Sequence, residues 1–533
     1  MSSTSPATPG TAGADSTMPT FTHRQILVIM SGLLLGMLLA ALDQTIVATA
    51  LPTIVGDLGG LTHIAWVTTA YLLAATVSTP LYGKLGDLIG RKYLFQFAIS
   101  VFLVGSALAG LSQTMTQLIV FRAIQGLGAG GLMVLAMAIV ADVVPPRERG
   151  RYQGLFGAVF GGASVAGPLL GGFFTDHLSW HWVFYVNIPI GLFALGVTSV
   201  VLTNTASQVK PKIDYLGSLV LTAAVASLVL LTTWGGSQYA WGSPTIIGLA
   251  VAVVVLVGLF FVVERRAVEP VIPLRLFKGR TFALASALSF LIGFALFGVI
   301  SYLPLFLQLA GGASATSSGL TMLPLMGGLL VASLGSGQII SRTGHYRRFP
   351  IAGTAIATVG MYLLSTMSAT TPKIVTMGYM VVLGVGIGLV MQVLILAAQN
   401  ASHRRDLGVT TSTVSFFRSV GGSVGVAVFG SIFNSQLSHR LAENVPPEAA
   451  AQIHGQSISV KLIESLPEPL RHGFILSFAE ALTNVFLYAV PFVAASFLLS
   501  WLIREVPLQG KAPGSAAADE STVEAALDAV IPG

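Results

Sequence analysis

An all-α polytopic membrane protein is predicted by three observations. Charged residues make up only 9% of the 533-residue chain, against about 25% in soluble globular proteins, so it cannot dress a water-facing surface of its size. Mean hydropathy is +0.82, and the apolar residues fall in runs of about 20, the length that crosses a bilayer as a helix. Those runs are too long and too uniformly apolar for barrel strands.

The elements follow in order. Residues 1–25 hold a Ser/Thr/Pro/Gly/Ala-rich stretch and are expected to form a disordered tail. No compact apolar stretch with a cleavage site precedes the first long run, which therefore reads as an uncleaved anchor. Spans are predicted at 26–50, 62–83, 93–111, 117–140, 152–175, 182–203, 215–234, 244–263, 282–308, 316–340, 349–369, 373–398, 410–436 and 474–503. Residues 26–203 form an N-terminal six-helix half, 204–281 two inserted helices and a linker, and 282–503 a C-terminal six-helix half. A long loop at 437–473, with Pro446, Pro447, Pro467 and Pro469, interrupts the second half, and 504–533 is a second tail.

An even number of spans leaves both termini on one side, and charge chooses the side. Alternate loops carry Lys84, Arg91 and Lys92; Arg147, Arg149 and Arg151; Lys210 and Lys212; Arg265, Arg266, Arg275, Lys278 and Arg280; Arg342, Arg347 and Arg348; Arg404 and Arg405. The opposite loops carry only Lys373, Arg440, Lys461 and Arg471. The positive-inside rule then places both termini in the cytoplasm of a multi-pass cell-membrane protein. The net charge of +6 resides in those loops, so it implies no nucleic-acid partner. With no cysteine, disulfides, thiolate catalysis and cysteine metal sites are excluded. The nine histidines fall in tails, loops or span ends, so no metal cluster is expected. No GxxxxGK[ST] string supplies a nucleotide motor, and intramembrane acids and bases are too few for an enzyme. No cofactor is expected beyond the proton motive force.

Gly83-Lys-Leu-Gly-Asp87-Leu-Ile-Gly90-Arg91 follows the second span. Its glycines permit a tight turn and close helix approach, and Asp87 and Arg91 are spaced to pair on a helix. A decayed copy, GQIISRTGH at 337–345, follows the tenth span, aligning Gly83 with Gly337, Gly90 with Gly344 and Asp87 with Ser341. The separation holds eight spans, which fits two six-span halves parted by two inserted helices. Parallel halves of this kind build alternating-access transporters.

The loop string resembles the signature of the major facilitator superfamily. LIVFRAIQGLGAGG at 118–131 resembles that superfamily's fourth-helix motif, with Arg122 and Gly126 in place. GGASVAGPLLGG at 161–172, containing Gly167, Pro168, Gly171 and Gly172, resembles its fifth-helix antiporter motif, with Ala163 where a glycine is usual. LDQTIVATALP at 42–52, SWHWVFYVNIPIG at 179–191 and YLPLFLQLAGGASATSSGLTMLPL at 302–325 narrow the resemblance to the fourteen-spanner drug:proton antiporters. It implies a major facilitator fold over about residues 26–503 and proton-coupled export of small amphipathic compounds such as drugs, antibiotics and dyes. A dedicated exporter of a metabolite, siderophore or lipid is the alternative on the same scaffold. The expected partners are that substrate, protons and the bilayer, with a monomer as the working unit.

Asp43 lies some 17 residues, or about 26 Å, into the first span. A carboxylate there must be relieved by a partner, protonation or a wet cavity, and burial favours its neutral form. It is the candidate proton carrier, with a helix-end polar contact near Pro52 as the structural alternative. For Arg122 the resemblance implies a coupling role beside Asp43, while snorkelling to the outer interface is the alternative. Pro168 among glycines predicts a kinked, tightly packed fifth span, which the resemblance reads as a gate favouring exchange. Arg418, in span thirteen, is read as cavity lining or structural pairing. Glu480, near the outer end of span fourteen, is read as an interfacial charge or a second proton site. Asp142 and Glu264 read as interface charges.

Overall fold

A computed structural model describes residues 23–58, 64–202, 214–236, 238–309, 315–444, 467–506 and 508. Most of the expected tails, the start of the central linker and the middle of the long loop lie outside the described residues.

The N-terminal half comprises α1 (His23–Leu58), α2 (Ile64–Ile89), α3 (Arg91–Gly110), α4 (Met115–Val143), α5 (Pro146–His177), α6 (Trp182–Tyr185) and α7 (Asn187–Val201). The inserted hairpin is α8 (Tyr215–Trp234) and α9 (Pro244–Arg266). The C-terminal half comprises α10 (Arg280–Leu309), α11 (Ala315–Thr321), α12 (Leu323–Thr343), α13 (Arg348–Ser365), α14 (Lys373–Asn400), α15 (Leu407–Asn444) and α16 (Glu468–Ser500). Short 3-10 turns at Leu274–Lys278 and Arg404–Asp406 link them.

Twelve helical stretches among the described residues are long and apolar enough to cross a membrane. Helices α2 and α13 occupy the predicted second and eleventh span positions but fall outside those twelve. Their sequences explain it: α2 carries Thr68, Thr69, Thr76, Ser78, Thr79 and Pro80, and α13, only 18 residues long, includes Arg348, Pro350, Gly353 and Thr354, which lower its hydropathy. The predicted sixth span is interrupted at Val186, just before Pro189 withholds a backbone donor.

The loop expected at 437–473 is shorter than predicted, because α15 runs on to Asn444 and α16 already begins at Glu468. Leu437 and Leu441, one helical turn apart, pack into the same apolar cluster as Phe474, and Ser477 Oγ donates to the Arg440 carbonyl at 3.1 Å. Helical periodicity therefore outlasts the continuous apolar run.

In the first half α4 is central to α2 and α3, and α1 packs on α5 and α7; in the second, α14 holds α12 and α13 while α15 holds α10 and α16. The halves meet mainly along two helix pairs, α2 with α15 and α5 with α12. Each pair crosses at glycines near the end of the bundle that carries Lys84, Arg91, Arg149, Arg348 and Arg405, here the basic end. A Cβ on Gly83 would strike the Gly408 carbonyl and Ser412, and one on Gly337 would strike the Gly150 backbone. The two aligned copies of the loop string thus make equivalent crossings. Gly90 (φ 108°) and Gly344 (φ 75°) both take positive φ just after their crossings, but only Gly344 adopts the left-handed helical conformation.

Helix α8 lies over the α2/α15 pair. Val220, Val225 and Val229 of α8 cluster with Val77 of α2, Phe260 of α9 and Phe416 of α15. Ion pairs tie the base of the hairpin to both halves. Lys84 Nζ meets Glu269 at 2.6 Å, and Arg275 forms a two-pronged pair with Asp406 at 2.6 and 2.9 Å. Asp406's hydrogen bonds raise the Arg275 guanidinium above its ordinary pKa. Glu264 is not an interface charge: it is 3% exposed and accepts the Val271 N–H at 3.2 Å, folding the linker back beneath α9.

Candidate functional site

The first-half core holds one polar cluster, built around Asp43. An ion pair buried among helices must satisfy nearly every donor and acceptor it contains. Asp43 is fully buried and Arg122 is 1% exposed. Arg122 Nη1 donates to Asp43 Oδ2 and, at 2.7 Å, to Gln125 Oε1. Gln125 Nε2 donates to Asp43 Oδ1 at 2.8 Å and to Ser106 Oγ at 3.1 Å. Asn187 Nδ2 reaches Asp43 Oδ1 at 3.3 Å and Ser106 Oγ at 3.0 Å. The hydroxyl of Ser106 then donates to the Phe184 carbonyl at 2.9 Å. Arg122 Nε points to the Val67 carbonyl, and the guanidinium lies 4.1 Å from the Tyr71 ring centroid, a favourable cation–π arrangement. Five elements therefore meet at one carboxylate: α1, α2, α3, α4 and the α6–α7 break.

Arg122 does not snorkel; it turns inward. Glycine makes room for that, since a Cβ on Gly126 would strike the Tyr71 carbonyl and one on Gly105 would come within 2.5 Å of the Gln125 nitrogen. Gln125, Ser106, Asn187 and Tyr71 had no assigned role in the sequence reading. Gln125 and Asn187 do stand in the strings 118–131 and 179–191, and an amide inside an apolar run is the signal that marks them.

The antiporter string presses on α1 just beyond Asp43. Cβ atoms on Gly167 and Gly171 would strike Thr45 and Thr49 respectively, whereas Gly172 faces open space. Thr45 Oγ1 donates across to the Ala163 carbonyl at 2.9 Å. Pro168 lies inside α5. Toward the basic end the same helix crosses the seam, where Gly154 abuts Leu334 and Gly157 abuts Ser333. Helix α5 is thus continuous between the Asp43 cluster and the opposite half.

The loop string forms a charged latch. Arg91 bridges Asp87, at 2.6 Å, and Asp142, and donates to the Ala138 carbonyl at 2.7 Å. Asp87 in turn accepts the backbone N–H groups of Gly408 at 3.0 Å and Val409 at 2.9 Å. A carboxylate of the first half thereby caps the N-terminus of α15 in the second, where orphan donors and the helix dipole favour negative charge. Asp142 is part of this latch rather than a bare interface charge.

The remaining candidates lie apart from Asp43. Arg418 is 6% exposed and reaches across the seam to Met133 Sδ at 3.6 Å. Glu480 does not stand in the interior as a second proton site would: its side chain is 46% exposed and faces Arg440 at 3.3 Å.

The Major Facilitator Superfamily pattern matches residues 33–426. An uncharacterized MFS-type transporter of Mycobacterium tuberculosis is 48% identical over 481 residues, covering 90% of this chain and 70% of that one. Multidrug resistance protein 3 of Bacillus subtilis is 39% identical, covering 89% and 94%. Multidrug transporter protein MdtP of the same species is 35% identical, covering 94% and 97%. Among solved structures, the human organic anion transporter MFSD10 superposes with a TM-score of 0.61 at 14% identity, covering 89% and 99%. A double-tryptophan mutant of XylE gives 0.59 at 12%, covering 92% and 98%. At such identities the structures speak for the fold alone.

Proposed function

The chain belongs to the Major Facilitator Superfamily, which makes it a transporter and not an enzyme, and from that premise we propose a proton-coupled antiporter. It exports small amphipathic compounds across the cytoplasmic membrane by alternating access, with the basic end in the cytoplasm. The efflux direction draws support from relatives that are multidrug proteins over nearly their whole length. The observation that carries the proton coupling is the Asp43 cluster. A fully buried carboxylate is held by a single cation and two amides, so one proton changes the net charge of a sealed polar site.

In the described conformation the two halves are latched at the basic end. Asp43 is paired with Arg122, and Asp87 caps α15. Protonation of Asp43 would leave the Arg122 guanidinium with Gln125, the Val67 carbonyl and the Tyr71 ring, a weaker set of partners. The resulting shift of α1 passes to α5 through the Thr45–Gly167 contact and from α5 to the α12 crossing. Two packings of the same helices are then biased by one proton. A proton moving inward contributes about 2.3 kcal/mol per 100 mV of membrane potential.

The test is transport in everted vesicles with an imposed pH gradient. Asp43→Asn is expected to lower uphill export of a cationic dye by at least about a hundredfold, the lower end of the range for losing a proton-transfer group. Downhill exchange should survive. Full gradient-driven export by Asp43→Asn would remove the residue from the mechanism.

A further inference from the structure

We infer that Arg418 is an anion-recognition residue of the translocation pathway, receiving the carboxylate of an amphipathic acid. The inference rests on the efflux reading and gives its substrates a chemical class.

The two buried arginines of the spans named as candidates differ in one respect. Arg122 has Asp43, whereas among the described residues no carboxylate stands within ion-pair distance of Arg418, whose guanidinium meets the thioether of Met133. A buried cation without a counter-charge is unfavourable, so some recurrent occupant or water must relieve it. Its depth is also that of a transport site. Arg418 stands about 16 Å along α15 from Leu407, and Met133 about 15 Å along α4 from Val143. Both are therefore near the bilayer midplane, on the seam between the halves, where this class of fold binds its cargo.

A second observation comes from neutral polar groups. Gln399 of α14 donates to Thr411 of α15 at 2.8 Å, which fixes the register of these antiparallel helices. Two turns further into the bilayer, the same register brings Gln392 level with Arg418. Gln392 Oε1 and the hydroxyl oxygens of Ser415 and Ser333 are buried with no hydrogen-bond partner. Gln392 and Ser333 also line a small cavity with Gly150 and Gly337 at the α5/α12 crossing. Unmet polar groups are rare in buried protein, and here several belong to second-half helices of the seam, with Ser415 one helical turn from Arg418 on α15. The guanidinium fork matches a carboxylate's two oxygens. Met133 is a flexible cover that can swing aside as the halves part.

The experiment uses the full chain in phosphatidylcholine vesicles, which carry no anionic headgroup, under an imposed pH gradient. Rhodamine B, with a free carboxyl, is compared with its ethyl ester, which lacks that anion. The wild type should move both, and Arg418→Gln should raise KM for the acid by about tenfold while leaving the ester within about twofold. Arg418→Lys should retain part of the preference for the acid. Equal losses for both dyes would show a packing role, and an unchanged KM for the acid would show none; either overturns the inference. A wild type that exports the ester but never the acid overturns it too and leaves the efflux reading standing. Failure to drive either dye uphill sinks both.

Discussion

At the scale of single residues, the Asp43–Arg122 pair behaves as a unit whose halves cannot be removed separately. Breaking a buried pair from one side strands the other charge, at about 3–5 kcal/mol. Arg122→Gln is therefore expected to lower the melting temperature of the purified protein sharply, and Asp43→Asn combined with Arg122→Gln to recover most of the loss. Equal destabilisation in the single and double variants would mean that Arg122 is held by packing instead. Asp43 and Arg122 were legible in the sequence because a charge inside an apolar run needs a reason. Gln125, Asn187 and Ser106 were not, since neutral polar side chains occur throughout helical bundles and only their convergence on one carboxylate sets them apart. Glu264 was misread for a related reason: position near a span end says nothing about burial.

At the scale of elements, glycines decide where helices may touch, and the structure separates those that must be glycine from those that need not be. Gly167 has Thr45 against it, while Gly172 has nothing within 4 Å. Gly167→Ala should therefore cut antiport severalfold in a vesicle assay, and Gly172→Ala should leave it near the wild-type rate. Similar effects from both would remove the α1–α5 contact from the mechanism. The latch makes a comparable prediction. Without the Asp87 carboxylate, the first N–H groups of α15 lose a charged cap, an effect of about 0.5–2 kcal/mol. The chain has no native cysteine, so Val409→Cys, at a site 1% exposed, reports on this contact directly. It should react with a membrane-impermeant thiol reagent severalfold faster when Asp87→Asn is added, and unchanged reactivity would show that the cap does not hold the seam shut. The ends of helices were the least legible part of the fold. Periodic packing by Leu437 and Leu441 extends α15 past the point where hydropathy falls.

At the scale of the whole molecule, the fold is two similar bundles joined at two similar crossings. The weak sequence repeat was enough to suggest this, although which glycine meets which could come only from coordinates. A methyl group at Gly83 or at Gly337 should prop open one crossing each, so Gly83→Ala and Gly337→Ala are both expected to lower transport, and Gly83→Ala to expose the Val409→Cys site as well. A silent Gly337→Ala would show that the second crossing is not part of the working seal. The inserted hairpin breaks the equivalence of the two joints, since α8 is seated on the α2/α15 pair and no counterpart packs over α5/α12 among the described helices. Surrounding hydrocarbon chains consequently press on one moving joint and are fenced off from the other. Changes in acyl length or stiffness would then load the molecule on a single flank, and lipid-dissolved cargo would meet a bare wall only there.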